Sequence, residues 1–134
     1  MRKTNLMIVI FVMICNLVFS QTKENSIHVY LGNQKCEEKM EIQKSQLLKE
    51  SRLTVIANDK DTLDKVSFTL TLFGTSGDLI SLVSKSTFFT PEMKKNIERV
   101  IKEGKTKKIY IEYIIAKYKE VDMKLPAIVI ELKD

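Results

Sequence analysis

The chain has 134 residues, of which 44% are hydrophobic and 29% are charged, with a formal net charge of +5. This length fits one domain that buries a real but modest core. A single histidine and two cysteines are too few for the ligand set of an ordinary zinc site, so neither a metal nor a cofactor is expected.

The amino terminus has the residue order of a secretory signal peptide. Arg2 and Lys3 precede an apolar stretch over residues 6–14, and the small residue Ser20 closes the segment. The apolar stretch is shorter than the roughly 20 residues that a membrane-spanning helix needs, and no second one follows. We therefore predict that residues 1–20 are a signal peptide cleaved near Ser20, and that the protein is periplasmic or secreted.

Export changes what the charge and the cysteines indicate. Loss of residues 1–20 lowers the formal charge to +3 and separates the protein from most nucleic acid, so no nucleic-acid partner is predicted. Cys15 leaves with the signal peptide unless it is lipidated, and the bulky Ile14 before it argues against lipidation. Cys36 then remains alone among polar neighbours. It is either an incidental cysteine or an intermolecular thiol that joins two copies as a homodimer.

Residues 21–39 have the composition of a polar leader that contains one short strand. Residues 27–31 alternate apolar with polar or amphipathic side chains, and Gly32 and Asn33 after them predict a turn. His28 in this strand is interpreted as an exposed strand residue. The alternative is that His28 is the general base of a small secreted hydrolase.

Residues 40–134 are the predicted domain, and strand patterns dominate it. Ser45 is predicted to cap a short helical turn. The β-branched content of residues 53–57, followed by short polar residues, predicts a strand and a turn. Residues 66–72 alternate strictly, which predicts a half-buried strand, and residues 79–83 are expected to return as its antiparallel partner in a hairpin.

A helix over residues 91–103 has start and stop signals of its own. Thr90 is a good N-cap, Pro91 fits the first helical position, and Gly104 supplies the stop. Its apolar residues recur at helical spacing and predict one buried side. They are Met93, Ile97, Val100 and Ile101.

The same segment is strongly basic. Between residues 92 and 108, seven Lys or Arg stand against three Glu, which gives a local charge of +4. A candidate partner-binding face consists of Lys94, Lys95, Arg99 and Lys102. This face would suit an acidic partner protein or anionic lipid headgroups, although it lacks the exposed aromatic residues of a membrane-surface helix. An ordinary solvated helix face is the third interpretation.

The last third of the chain predicts two central strands. In residues 109–115, Ile109, Ile111, Tyr113 and Ile115 are expected to share one face, and residues 124–132 form the final strand. Both segments carry large apolar groups on both faces. With six strands and one helix, the sequence predicts a mostly β, α+β domain: a small antiparallel β-sandwich with an amphipathic helix packed on it.

Motifs of catalysis are absent from the sequence. It has no G-x-S-x-G elbow, no glycine-rich phosphate loop and no H-E-x-x-H pair. We therefore predict no catalytic residues, and expect the protein not to be an enzyme.

Several short motifs, in order, resemble the C-terminal domain of the gliding-motility protein GldM (PorM) family. The resemblance covers roughly residues 40–134. Its motifs are Ser45-Gln46-Leu47, the strand from Val66 to Leu72, Phe89-Thr90-Pro91-Glu92-Met93, Gly104 before Lys108-Ile109-Tyr110-Ile111-Glu112, Ile114 with Ala116-Lys117, and Leu125-Pro126-Ala127-Ile128. The turn over residues 118–122 lacks the glycines expected there.

The resemblance implies a stand-alone interaction domain in the envelope of a Gram-negative bacterium. In that family, periplasmic domains couple an inner-membrane motor for type IX secretion and gliding to an outer-membrane-associated ring, and the last domain is a mostly β, protein-contacting module. The family's membrane anchor and preceding domains have no counterpart in this sequence. The implied partners are envelope proteins.

Overall fold

The computed structural model describes residues 26–74, 76–104 and 107–134, and this part of the chain contains ten strands and two helices. The predicted signal peptide and Cys15 lie outside the described residues. The strands are β1 (Ile27–Leu31), β2 (Gln34–Lys35), β3 (Lys39–Gln43), β4 (Leu53–Ala57), β5 (Asp61–Thr62), β6 (Val66–Phe73), β7 (Leu79–Ser84), β8 (Lys108–Tyr118), β9 (Val121–Leu125) and β10 (Ile128–Lys133). The helices are α1 (Lys44–Lys49) and α2 (Pro91–Glu103).

The strands form two sheets. The four-stranded sheet has the order β2-β1-β4-β5, and the six-stranded sheet has the order β3-β10-β8-β6-β7, with β9 also paired to β8 beside β10. All strand pairs are antiparallel except β3 and β10, which are parallel. The predicted class, a mostly β, α+β sandwich, is confirmed. The central position of β8 and the interior position of β10 also agree with the apolar residues on both of their faces.

Both sheets contribute side chains to one core. Leu31, Leu53 and Val55 of the smaller sheet belong to the same buried cluster as Ile111 and Ile130 of the larger one. The strand predicted within the polar leader is part of this arrangement, because β1 pairs along its whole length with β4. Alternation of apolar and polar residues in the strands therefore produces two half-buried sheets that cover each other.

Helix α2 begins and ends as its sequence predicts. The Thr90 side chain accepts a hydrogen bond of 3.1 Å from the Met93 backbone N–H, and Gly104 ends the helix in the left-handed region at φ 69°. The helix buries Met93, Ile97 and Val100 and leaves Ile101 partly buried against the core. Immediately before the helix, the Phe89 ring lies edge-on to Phe68 with centroids 5.7 Å apart, which anchors the helix start to the core.

The prediction that Tyr113 and Ile115 share a face of β8 with Ile109 and Ile111 is wrong, because the strand contains a bulge. Tyr113 has φ 51°, and the register with β6 shifts so that Tyr113 and Ile114 both stand opposite Phe68. The extra residue reverses the alternation. Ile111 and Ile114 are therefore buried, whereas the Tyr113 side chain is 75% exposed.

Two smaller predictions are also corrected. Ser45 does not cap α1, because the helix begins at Lys44 and its N-cap is Gln43, which makes no side-chain capping bond. The segment predicted as one final strand is two strands, β9 and β10, separated at Pro126 and Ala127. Proline has no backbone N–H for a ladder, so the break falls where the sequence removes a donor.

Candidate functional site

Five strands among the described residues lie at sheet edges, and four of them carry features that discourage pairing. Strands β2 and β5 have only two residues each. Strand β3 carries Lys39 and Glu41, and β9 carries Asp122 and Lys124. Short length and charged side chains are the usual means by which proteins keep an edge from adding another strand.

The fifth edge strand, β7, has none of these features. Its sequence, LISLVS, contains no charge and no proline, and all six residues pair in register with β6 without a bulge. No backbone hydrogen bond outside that ladder involves residues 79–84 among those in the described chain. Every second residue of an antiparallel edge strand directs its N–H and C=O away from its neighbour. Within the described residues, strand β7 therefore presents unpaired backbone donors and acceptors along an edge without a bulge.

The sheet face beside this edge is apolar and exposed. Leu79 and Val83 are 61% and 62% exposed, and they stand opposite Phe73 and Thr69 of β6. The Phe73 ring contacts Tyr110 of β8 edge-on at 6.5 Å between centroids. A strand added to β7 would thus find both backbone partners and apolar side-chain contacts. We call β7 with Phe73 and Tyr110 the β7 edge surface.

The predicted basic face is divided by the geometry of α2. Lys95, Arg99 and Lys102 follow the i, i+4, i+7 spacing opposite the buried side, and all three are exposed. Lys94 lies on the flank that faces α1, where it lines a shallow cleft with Glu50. Arg99 donates a hydrogen bond of 2.9 Å to Asn96, and no ion pair within the described chain involves the three outward residues. All three are exposed charges, and Arg99 also acts on Asp78: the Ser76 hydrogen bond and, less strongly, the Arg99 charge lower the pKa of that carboxyl.

Cys36 is less accessible than its polar neighbours in sequence predict. It is half-buried against the core at a cavity of about 220 Å³ that His28 and Pro126 also line. Burial of the thiol raises its pKa to about 11, so the thiol stays protonated at neutral pH. Because the thiolate is the reactive form, burial lowers the reactivity of this thiol. The intermolecular thiol stays a prediction.

Among the described residues, Ser26 is the hydrogen-bond partner of the His28 ring. Its Nε2 lies 3.0 Å from the Ser26 Oγ in an exposed position. In the described part of the chain no carboxylate hydrogen-bonds to the other ring nitrogen, so this serine and histidine lack the third group that orients the base in a catalytic triad.

The β8 bulge borders an apolar pocket on the exposed side of the larger sheet. The pocket has a volume of about 450 Å³, and Tyr113, Ile115 and Leu125 line it, with Glu112 and Lys124 among its polar residues. Glu112 is occupied by a hydrogen bond of 3.1 Å from the Thr71 hydroxyl. The pocket has an acid and a base, and no buried side-chain polar atom of the described residues lacks a hydrogen-bond partner.

Other kinds of site find no support in the described residues. They contain no cluster of three or more His, Cys, Asp or Glu side chains placed to hold a metal ion. None of their helices has the length and apolar character to cross a membrane. No family model matches the chain, and the comparison with curated proteins finds no match.

Sequence reasoning found the β7 strand but not its position at an edge. The hairpin of β6 and β7 was predictable from local alternation. Strand β7 is outermost because β8 pairs with the other side of β6. This pairing joins residues some 40 positions apart, so local patterns do not predict it. The sequence feature that could have indicated an unprotected edge is the absence of charge and proline from residues 79–84.

Proposed function

We propose that this chain is a non-catalytic, exported protein–protein interaction module of the bacterial cell envelope, which accepts a β-strand of another polypeptide at the β7 edge surface. The observation that carries the proposal is the contrast between β7 and the four protected edges. In strand addition, main-chain hydrogen bonds supply affinity, and alternate side chains supply specificity.

The chemistry of β7 fits this role on both faces. Its outward residues Leu79 and Val83 alternate with the partly buried Ile80 and Leu82, which contact the core. A partner segment with apolar residues at every second position would extend both the exposed face and the core face. The resemblance to the GldM C-terminal domain supports the same class of function, with type IX secretion or gliding as its setting.

The basic residues of α2 form the competing docking surface. Glu92 precedes Lys95, Arg99 and Lys102 on the helix, and Glu98 lies between the first two of them. All five residues are exposed to solvent, which screens their charges. Such residues accelerate encounter with an acidic partner more than they hold it. We therefore propose that β7 supplies most of the binding affinity and that the charges of α2 contribute only to the rate of encounter.

Site-specific photo-crosslinking in living cells tests the proposal. Val83 on β7 and Val121 on β9 are a matched pair, because both are edge-strand valines with exposures of 62% and 57%. A photoreactive phenylalanine at position 83 should give specific crosslinked products, identified by mass spectrometry, and the same residue at position 121 should not. Equal products from both positions, or none from position 83, would refute the proposed edge.

Affinity measurements with the crosslinked protein, once purified, separate the two surfaces. The variant Leu79→Lys/Val83→Lys should weaken binding at least about tenfold in calorimetric titration, because it places charges along the edge. The variant Lys95→Glu/Arg99→Glu/Lys102→Glu should leave affinity nearly unchanged. Reversed results would move the docking surface to α2. Matching thermal unfolding of each variant with the unmodified protein serves as the folding control.

A further inference from the structure

Strand β7 is complementary to itself when two copies are placed antiparallel. In an antiparallel pair, residues directly opposite each other lie on the same sheet face. If a twofold axis passes through Ser81, then Leu79 stands opposite Val83 of the second copy, and Ile80 stands opposite Leu82 of the second copy. Every apolar residue of the strand then meets an apolar residue on its own face.

Neighbouring registers lack this match. A twofold axis through Leu82 places Ile80 opposite Ser84 and Ser81 opposite Val83, and it leaves Leu79 without an opposite residue. The strand also ends at Ser84, where the side chain hydrogen-bonds to the Phe88 carbonyl at 2.6 Å as the chain turns away. An axis through Ile80 places Leu79 opposite Ser81 and sets Asp78 opposite Leu82. The side chains therefore favour the register centred on Ser81.

Charges at the two ends of the strand are compatible with the same arrangement. Asp78 precedes β7 and Lys85 follows it, and both are exposed. In the register centred on Ser81, Asp78 of each copy stands opposite Ser84 of the other, one residue from its Lys85. Because successive side chains project to opposite sheet faces, Asp78 and Lys85 form no pair across the interface. No like charges face each other between the two ends, because residues 79–84 are uncharged.

We propose that the strand bound at the β7 edge surface is β7 of a second copy of this chain, in the antiparallel register centred on Ser81. This proposal rests on the proposed function and specifies its partner. The dimer joins two six-stranded sheets into one continuous sheet across an isologous, twofold interface. It also joins the exposed Phe73 and Leu79 surfaces of the two copies into one apolar face.

Disulfide trapping tests the register. In a Cys36→Ser background, Ser81→Cys places two thiols opposite each other, with Cα atoms about 4.5–5.5 Å apart, which is within the range of a disulfide. Mild oxidation of the purified protein should convert most of it to a covalent dimer on non-reducing gels. Ser45→Cys in the same background is the control, because Ser45 is also exposed but lies on α1. Trapping no faster at position 81 than at position 45 would overturn the register.

Sedimentation velocity tests the dimer without engineered thiols. The unmodified protein should sediment at twice the monomer mass at micromolar concentration, and Val83→Lys should weaken the dimer at least about tenfold because it places a charge in the shared edge. Val121→Lys is the matched control and should leave the dimer intact. A monomer at all concentrations would refute the dimer. If position 83 still crosslinked to a different protein in cells, the edge would stand as a docking site, so the two proposals fail separately.

Discussion

At the scale of single residues, Tyr113 is the least expected position in the molecule. A large side chain at φ 51° carries a conformational cost that glycine avoids, and the first position of this kind of bulge is commonly glycine. Because the ring is 75% exposed, it recovers little of that cost by burial. Local alternation gave no sign of the bulge, since Ile111, Tyr113 and Ile115 continue the apolar pattern without interruption.

Replacement of Tyr113 by glycine is expected to stabilise the protein by roughly 0.5–1 kcal/mol. Relief of about 1–2 kcal/mol of left-handed strain exceeds the roughly 0.4–1 kcal/mol by which glycine adds freedom to the unfolded chain. Urea unfolding should show a higher midpoint with an unchanged slope. Tyr110→Gly on the same strand has no such strain to relieve and should destabilise. A loss of stability in Tyr113→Gly would mean that the ring packs more than its exposure indicates.

At the scale of elements, sequence rules worked where the signal was local. The cap, proline and glycine signals of α2 and the alternation of β6 determine those elements by contacts within a few residues, and the structure confirms both. Strands β3 and β9 were missed because charged residues alternate with few apolar ones in KMEIQ and VDMKL. Their strand conformation depends on pairing. Strand β3 pairs with β10, which is distant in sequence, and β9 pairs with β8, from which a tight turn separates it. The candidate edge was missed for the same reason.

The end of α2 offers a clean test of a local signal. Gly104 has φ 69°, and a Cβ added there would meet no atom within 4 Å, so substitution changes backbone strain without a steric clash. Gly104→Ala should cost about 1 kcal/mol in urea unfolding followed by circular dichroism. Gly104→Asn should cost less, because asparagine tolerates the left-handed region better. Equal costs for alanine and asparagine would show that backbone conformation is not the cause.

At the scale of the whole molecule, two side-chain hydrogen bonds link the two sheets. The Tyr118 hydroxyl at the end of β8 donates to Asp61 at 2.9 Å and accepts from Asn58 at 3.1 Å, and both partners lie at the β4–β5 turn of the other sheet. Tyr118 is buried. Asn58 and Asp59 both have positive φ, which is the conformation of the tight turn that presents these partners.

Removal of this hydroxyl should weaken the packing of the sheets. Tyr118→Phe is expected to destabilise the protein by about 1 kcal/mol, because it removes the buried hydroxyl that donates to Asp61 and accepts from Asn58. Tyr30→Phe is the matched control, since no hydrogen bond of its hydroxyl occurs within the described chain, and it should change stability by less than about 0.5 kcal/mol. Similar thermal shifts for the two variants would show that the link contributes nothing.

The parallel pairing of β3 with β10 has a consequence for biosynthesis. Strand β3 finds its hydrogen-bonding neighbour only at residues 129–133, about 90 positions later, so a nascent chain must be nearly complete before the larger sheet closes. Contacts of such long sequence separation slow folding. A polypeptide that acquires its tertiary structure late stays unfolded for longer. This delay would suit the proposed export, because a chain that is translocated before it folds must still be unfolded when it reaches the membrane.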